Sequence, residues 1–314
     1  MIKILLIIIF VFVIGPIIKF LLEVSYKNTV KEVNFKERYG DCWVMITGAS
    51  SGQGQMLAIK MAQRGFNIIM IGSKRTYNTK KEIKKLYPNI KTKVIVKDFI
   101  ESMNPAWWDN IEPLFTKYDI GILINNVGRR TASNPSHEQD DNMIRNSLIT
   151  GTYPQIRLTN LALKQMVKRN KKSAVLFNTA QCIFPTFLLS QYIPTGEISV
   201  PYMSVYEAAN AFGFYHANSL VKEYKDIDML IIMPGAVITE NTEYLKSIPF
   251  AVDVDIFTDG IIRLIGNVNG ATCAHWKHDI ASILIGLAPF MKDIILKKVG
   301  LTLDENLNSH LNKN

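Results

Sequence analysis

The chain has 314 residues, of which 48% are hydrophobic and 20% are charged, so it is long and apolar enough to bury a sizeable core and is not intrinsically disordered. The formal net charge is +9, but the basic residues are spread along the chain and are not interleaved with aromatic residues, which argues against nucleic-acid binding. The three cysteines lie far apart without the spacing of a metal site or a disulfide framework, so we expect no metal and a reducing compartment around the folded part.

The first predicted element is an apolar run at the N-terminus, ILLIIIFVFVIGPII, which covers residues 4–18 without a charge. At about 1.5 Å per helical residue the run is marginal for a hydrocarbon core of about 30 Å, and Lys3 and Lys19 extend it by snorkelling. The run predicts a membrane anchor over residues 1–23 and a juxtamembrane stretch over residues 24–40; a cleaved signal peptide and an interfacial helix are the alternatives. Basic residues follow the run, which predicts by the positive-inside tendency that the main domain faces the cytosol.

Beyond the juxtamembrane stretch, apolar runs of strand length alternate with charged segments of helical periodicity. Six strands are predicted, within the segments CWVMITGASSGQG, FNIIMIGSKR, TKVIVKDF, DIGILINNVG, SAVLFNTA and DIDMLIIMPGAV. A long helix is predicted from about residue 206 to residue 223, before the last of these strands. The alternation predicts an α/β fold over residues 41–300, with a single doubly wound Rossmann-type parallel sheet.

Near the C-terminus the stretch IASILIGLAPFMKDIIL is apolar and is broken by Pro289. A helix packed on the domain is the prediction for this stretch, and a second contact with the membrane surface is the alternative. The last residues predict a loose tail over residues 301–314.

Three glycines, Gly48, Gly52 and Gly54, lie between the first predicted strand and the first helix. Glycine lets the backbone approach a pyrophosphate closely, and the N-terminus of the helix favours its negative charge. After the second strand, where a carboxylate would hold a ribose 2′-hydroxyl, the chain has Lys74 and Arg75. Positive side chains suit a 2′-phosphate, so the pattern favours NADP(H) over NAD, with two merely solvated side chains as the alternative.

Three segments together, TGASSGQG, NNVG and YEAANAF, resemble the motifs of the short-chain dehydrogenases/reductases. The apolar N-terminus, Val127 and the stretch ATCAHWKHDIASILI are similar to the membrane-anchored branch of very-long-chain 3-oxoacyl-CoA reductases and 17β-hydroxysteroid dehydrogenases. The resemblance implies an NADPH-dependent reductase in the endoplasmic-reticulum membrane, with its domain facing the cytosol. It implies a long apolar ketone, a 3-oxoacyl-CoA or a steroid, as the substrate, and a small apolar molecule or a lipid as the binding partner. It also implies that subunits pair into a homodimer through long helices.

The resemblance assigns cofactor contacts by position. The matching residues are Gly48, Ser50, Gly52 and Gly54 at the pyrophosphate, Asp98 at the adenine, Asn125 and Gly128 at the sheet edge beside the ribose, and Pro234, Gly235 and Thr239 at the nicotinamide. For Asp98 an ordinary turn residue at the end of the third strand is the alternative.

The catalytic set that the resemblance implies is degenerate. The family uses an Asn-Ser-Tyr-Lys tetrad; Tyr206 matches the tyrosine and Asn146 is the best candidate for the asparagine. Gln181 stands at the serine position, and Asn210 stands at the lysine position. Asn210 lies four residues after Tyr206, hence on the same helical face, but it cannot supply the positive charge that lowers the pKa of the tyrosine.

The missing charge affects the two directions of the reaction differently. Reduction needs the protonated phenol, which is abundant near neutral pH, whereas oxidation needs the scarce tyrosinate. The sequence therefore predicts weak reduction and almost no alcohol oxidation. The alternative is a catalytically inactive pseudoenzyme that binds a cofactor or a lipid and acts through partners, with Tyr206 as a packing residue.

Other groups near the predicted site leave further alternatives. Thr179 is the nearest hydroxyl to the serine position, and a serine from the longer segment before Tyr206, namely Ser190, Ser199 or Ser204, is a candidate substitute. Cys182 has no histidine neighbour in sequence and is expected to be a buried, inert thiol.

Overall fold

The computed structural model describes residues 3–4, 10–128, 135–180 and 203–287. Within them lie nine strands: β1 (Trp43–Thr47), β2 (Asn67–Gly72), β3 (Thr92–Val96), β4 (Ile120–Asn125), β5 (Ser173–Asn178), β6 (Ile227–Ile232), β7 (Val237–Ile238), β8 (Val252–Asp253) and β9 (Gly270–Thr272). Seven of them form one sheet in the order β3-β2-β1-β4-β5-β6-β9, and every neighbouring pair is parallel. The strands β7 and β8 form a separate short parallel pair.

Helices cover both faces of this sheet. The α-helices of the described residues are α1 (Gly15–Thr29), α2 (Phe35–Tyr39), α3 (Gly52–Gln63), α4 (Thr76–Leu86), α5 (Leu114–Lys117), α6 (Asp141–Gly151), α7 (Tyr153–Met166), α8 (Ser204–Glu223), α9 (Val254–Leu264) and α10 (Trp276–Leu287). Short 3₁₀ turns cover Phe99–Met103, Pro105–Trp108, Ser136–Glu138 and Glu240–Ser247, and a π-type turn, Phe10–Ile14, precedes α1.

The central strands are mostly apolar because both of their faces are covered. Every residue of β4 and β6 is buried, as a parallel sheet packed between two helical layers requires. One core cluster lies between the sheet and helices α3 and α9, and the other lies beneath α7 and the 3₁₀ turn that carries Trp107 and Trp108. These two layers confirm the prediction of a single doubly wound parallel sheet.

The six predicted strands are confirmed, and the seventh strand of the large sheet, β9, was missed. It has only three residues and pairs with β6 at the edge of the sheet. A strand this short has no apolar run that distinguishes it from a loop.

The predicted juxtamembrane stretch packs on the folded domain. Phe35 and Tyr39 of α2 are buried in the core. Arg38 donates two hydrogen bonds to Asp228, at 2.6 and 2.8 Å, and the Tyr39 hydroxyl donates a third at 2.7 Å. Asp228 lies at the start of β6, about 190 residues away in sequence, so local patterns do not reveal this attachment.

The N-terminal anchor is not supported by the described part of the chain. In that part no helix combines the length and apolar character needed to cross a membrane, and α1 has 15 residues. Part of the predicted anchor, residues 5–9, lies outside the described residues, as do residues 288–314 with the predicted tail. The apolar stretch near the C-terminus forms the end of α10 as far as residue 287.

Candidate functional site

All the predicted cofactor residues lie at the carboxyl-terminal ends of the strands. Parallel strands end on the same side, so the loops that follow β1, β2, β3, β4 and β6 meet there. From β1 the chain adds β2 and β3 on one side of the sheet, and from β4 it adds β5, β6 and β9 on the other side. The strand order therefore reverses between β1 and β4. A crevice for a ligand is expected at such a switch point.

The glycine turn after β1 has a backbone that only glycine fits. Gly48 and Gly52 have φ angles of +68° and +57°, in the left-handed region that other residues rarely adopt. A Cβ on Gly54 would lie 2.3 Å from the carbonyl oxygen of Gly48 and 2.5 Å from the amide nitrogen of Asn126. The turn therefore presents bare backbone, with the half-buried Ser50 inside it, at the N-terminus of α3, as a pyrophosphate site requires.

Asn126 locks the glycine turn to β4, and the sequence analysis did not single it out. Its side-chain nitrogen donates to the carbonyl oxygens of Thr47 at 3.2 Å and Gly48 at 3.4 Å, and its backbone N–H donates to the Thr47 hydroxyl at 3.0 Å. The preceding Asn125 is buried and donates to the Thr159 hydroxyl of α7 at 2.9 Å. The two consecutive asparagines of NNVG were the sequence signal for this role, because the two side chains bond to different neighbours.

A line of amides crosses the edge of the sheet. The side-chain nitrogen of Asn178, at the end of β5, donates to Gln53 at 3.0 Å and to the side-chain oxygen of Asn126 at 2.9 Å. Gln53 belongs to the glycine turn, so the line connects the turn with β4 and β5. No pattern along the sequence predicts this contact, since the three residues are far apart in the chain.

The basic pair after β2 is free to meet an anion. Lys74 and Arg75 are exposed immediately before α4, and their side chains make no hydrogen bond or ion pair with any residue that the structure describes. Asp98 is exposed after β3, and its carboxylate accepts a hydrogen bond from the N–H of Ile100 at 3.1 Å. This bond caps a 3₁₀ turn, so Asp98 has a local role, and its contact with adenine stays a prediction.

The segment after β6 folds over the glycine turn. It includes Pro234 and Gly235 and ends at Thr239, whose methyl group lies 3.3 Å from the position that a Cβ on Gly52 would take. The structure therefore brings the predicted nicotinamide segment and the predicted pyrophosphate turn together. A hydrogen bond of 3.2 Å from the N–H of Gly235 to His278 Nδ1 holds the segment on its outer side.

Tyr206 and Asn210 share one cavity beside this crevice. The residues that line it are Val127, Gly128, Gly151, Gln155, Asn178, Thr179, Tyr206, Ala209, Asn210 and Gly213. A Cβ on Gly128 would meet no atom of the described residues within 4 Å. The predicted tyrosine, the amide at the lysine position and the predicted ribose position therefore adjoin one another.

The amide of Asn210 bonds to its own helix. Its side-chain nitrogen donates to the backbone carbonyl oxygen of Tyr206 at 2.8 Å. This bond uses one of its two amide hydrogens and brings no charge to the phenol. Asn210 is half-buried at the cavity wall.

The structure does not bring Asn146 to the cavity. Asn146 lies five residues before Gly151 in α6, about 140° round the helix, and Gly151 is the residue of α6 that lines the cavity. Gln155, one turn further on in α7, donates to the Gly151 carbonyl oxygen at 2.7 Å. The long spacing from Asn146 to LTNLALKQM was the signal for this difference.

The serine position falls outside the described residues, together with its neighbouring candidates; the residues concerned are Gln181, Cys182, Ser190 and Ser199. The Thr179 hydroxyl donates to the Ile232 carbonyl oxygen at 2.9 Å and is buried, so β6 occupies the nearest alternative hydroxyl.

The chain matches one family along most of its folded part. The family model for short chain dehydrogenases matches residues 42–248. Caenorhabditis elegans very-long-chain 3-oxooacyl-coA reductase let-767 is 28% identical over 277 residues, which are 86% of this chain and 83% of that protein. Human 17-beta-hydroxysteroid dehydrogenase type 3 is 26% identical over 256 residues, which are 79% of this chain and 75% of that protein.

Solved structures share the same fold at low sequence identity. A 7beta-hydroxysteroid dehydrogenase has a TM-score of 0.67 and 16% identity, covering 85% of this chain and 100% of that chain. A short-chain dehydrogenase from Sphingobium yanoikuyae in complex with NADPH has a TM-score of 0.61 and 20% identity, covering 81% of this chain and 95% of that chain. Because the family model spans more than half of the sequence, the chain belongs to the short chain dehydrogenase family.

Proposed function

We propose that the chain binds NADP(H) and is a slow NADPH-dependent reductase of a long apolar ketone, either a 3-oxoacyl-CoA or a steroid. The observation that carries the proposal is the shared cavity, in which Tyr206 and Asn210 adjoin Gly128. The glycine turn fits the cofactor, because bare backbone lies where any Cβ on Gly54 would collide. The substrate class follows the relatives, which are named for 3-oxoacyl-CoA and steroid chemistry.

The chain's own residues hold the cofactor and supply the proton. Lys74 and Arg75 would pair with the 2′-phosphate, and the N–H groups at the start of α3 would bind the pyrophosphate. When bound, NADPH supplies the hydride. Tyr206, protonated near neutral pH because its ordinary pKa is about 10, donates its phenolic proton to the ketone oxygen. Asn210 itself supplies no positive charge to favour tyrosinate, so we expect the reverse oxidation to be slower than the reduction.

A turnover assay tests this proposal. The full chain is mixed with NADPH and a panel of 3-oxoacyl-CoAs and ketosteroids, and the loss of nicotinamide absorbance is followed. We expect slow, substrate-dependent loss with one class of ketone and almost none of the reverse reaction with the matched alcohol. Equal forward and reverse rates on a matched pair would contradict the assigned role of Asn210.

The bond from Asn210 to the Tyr206 carbonyl favours a second candidate function, a cofactor- or lipid-binding pseudoenzyme that acts through partners. In this reading the amide stabilises α8 and takes no part in proton transfer. A protein that binds NADPH but consumes none with any ketone in the panel would support this candidate over the reductase.

We also propose that residues 1–23 attach the chain to the endoplasmic-reticulum membrane, with the domain in the cytosol. The large apolar side chains of Ile17, Leu21 and Leu22 on α1 are exposed, which supports contact with lipid. Membrane flotation of the full chain and of a chain lacking residues 1–23 tests this: only the full chain should float. A full chain that stays at the bottom of the gradient would reject membrane attachment.

Two copies are proposed to pair through α8. Phe212 and Tyr215 are exposed on this helix, and Leu148 is exposed on the neighbouring α6. Sedimentation velocity of the full chain in detergent measures the pairing, and a Tyr215→Glu variant should be monomeric if this face is the interface. Sedimentation of the wild type as a monomer would reject the proposed homodimer.

A further inference from the structure

His278 is buried in the first turn of α10 and bonds to the segment after β6 through both of its ring nitrogens. Only 1% of its surface is exposed. Nδ1 accepts a hydrogen bond of 3.2 Å from the N–H of Gly235, so Nε2 carries the ring proton and donates to the Ala236 carbonyl oxygen, also at 3.2 Å. The ring packs against Phe257 of α9, at 5.2 Å between ring centroids. The imidazole therefore holds two consecutive residues of one backbone segment.

The segment that His278 holds is the one that reaches the glycine turn. Gly235 follows Pro234 at the end of β6, and the same segment continues to Thr239 above Gly52. The Ala236 carbonyl oxygen also accepts a bond of 3.0 Å from the N–H of Val252, which joins the segment to β8. A shift of Gly235 would therefore move the backbone beside the cofactor crevice.

The helix that carries His278 is fixed in turn by the N-terminal helix. Asp279, the next residue of α10, forms an ion pair of 2.6 Å with Lys27 near the end of α1. Only 13% of the Lys27 side chain and 8% of the Asp279 side chain are exposed. Arg263 of α9 donates to the backbone carbonyl oxygen of Asn28 at 3.1 Å, so α9 also holds the end of α1.

We propose that His278 is a positioning residue that holds residues 234–236 in the shape that receives the nicotinamide, and that the Lys27–Asp279 ion pair sets the position of α10 from which it acts. The inference rests on the proposed binding of NADP(H). It makes the C-terminal part of α1 a component of the cofactor site and not only a connection to the membrane.

The first test needs no cofactor. Hydrogen exchange of the peptide that covers residues 233–239 is compared between the full-length wild type, His278→Phe and the control His275→Phe. His275 is half-buried three residues earlier; its ring stacks on Trp276 and lies edge-on to His278, a ring contact that phenylalanine retains. Among the described residues its ring accepts a hydrogen bond only from the nearby N–H of Lys277, and none from residues 234–236. We expect faster exchange of the peptide in His278→Phe and no change in His275→Phe. Unchanged exchange in a folded His278→Phe protein would overturn the proposal.

The second test separates the nicotinamide end from the adenine end. NADPH and adenosine 2′,5′-bisphosphate, which lacks the nicotinamide, are titrated against the same proteins. We expect His278→Phe to weaken NADPH binding by about tenfold, the scale of one disturbed polar contact, and to leave the bisphosphate unchanged. Equal weakening of both ligands would overturn a specific role at the nicotinamide end. If the wild type binds neither, the proposed cofactor function fails, and the exchange experiment still decides the role of His278.

Two further variants complete the design. His278→Gln retains one donor and one acceptor and replaces His278→Phe if the latter does not fold; we expect the same changes with smaller size. Lys27→Met removes the ion pair, and Lys31→Met removes an exposed lysine without a described side-chain partner. Faster exchange over residues 233–239 in Lys27→Met, with none in Lys31→Met, supports the contribution of α1, and no difference between the two rejects it.

Discussion

At the scale of single residues, a phenol and an amide lie together where the proposed chemistry would take place. Tyr206 and Asn210 line one cavity on consecutive turns of α8, as their spacing predicted. The bond from Asn210 to the Tyr206 carbonyl could not be predicted, because an asparagine in a helix bonds either to the preceding turn or to a ligand. The roles of both residues in catalysis stay predictions.

Placing a cation at position 210, one helical turn after Tyr206, should raise activity. We expect Asn210→Lys to increase NADPH consumption with a ketone substrate by about 10- to 100-fold, since general acid–base assistance is worth about 10²–10⁴-fold and the serine position stays altered. Asn210→Gln, which lengthens the side chain without adding charge, is the matched control. Steady-state rates across pH 6–9 measure the effect, and equal rates in the lysine and glutamine variants would show that the missing charge does not limit turnover.

Alanine variants of two glycines should distinguish effects on the free energy of unfolding from effects on NADPH binding. In Gly54→Ala the added Cβ meets backbone at 2.3 Å, so we expect a loss of about 1–3 kcal/mol in the free energy of unfolding and weaker NADPH binding. In Gly128→Ala the methyl group meets no described atom within 4 Å, so we expect a change within about 0.5 kcal/mol and a similar loss of binding. Chemical denaturation and NADPH titration measure the two quantities. A Gly128→Ala protein with wild-type affinity would remove Gly128 from the ribose site.

At the scale of elements, the sequence predicts strands well where both faces are buried. The apolar runs of β1, β2, β4, β5 and β6 are unmistakable for this reason, whereas β9 at the sheet edge has no such run. The glycine turn and the basic pair after β2 were also predicted, because local backbone chemistry determines them. The amide line through Asn178 and the attachment of α10 through His278 depend on contacts between distant residues, and no local pattern reports them.

The contact of His278 in α10 with the segment after β6 should make the free energy of unfolding depend on pH. Burial is the main cause that lowers the pKa of His278 from 6.5 to about 4. The unfolded chain therefore takes up the proton first, so the contribution is fully present above about pH 6.5 and is lost as the pH falls towards about 4. We expect wild type to lose about 2 kcal/mol of unfolding free energy between pH 7 and pH 4.5 through this group.

Denaturant unfolding of wild type and His278→Gln at both pH values measures this contribution. Burial raises the pKa of the neighbouring Asp279, which titrates in the opposite sense, and comparison of the two proteins removes its contribution. His275→Gln is the comparison: burial also lowers the pKa of this half-buried histidine, but its ring makes no described hydrogen bond to the segment after β6. An identical pH dependence in wild type and His278→Gln would mean that the imidazole is not held neutral in the folded protein.

At the scale of the whole molecule, the N-terminal region and the cofactor domain form one structure over the described residues. The sequence predicted a boundary at residue 40, but α2 lies in the core and Lys27 of α1 reaches α10. Charge partners about 190 and 250 residues apart produce these contacts, which no local pattern in the sequence reports. The folded domain therefore includes the end of α1.

The proposed function depends most directly on whether the glycine turn and the basic pair bind NADPH. Titration of the full chain with NADPH and NADH, followed by nicotinamide fluorescence, measures this. We predict saturable NADPH binding, with NADH at least about tenfold weaker because Lys74 and Arg75 have no 2′-phosphate to meet, and a Lys74→Ala/Arg75→Ala protein that no longer distinguishes the two. No saturable binding of NADPH, or equal affinity for both nucleotides in the wild type, would contradict it.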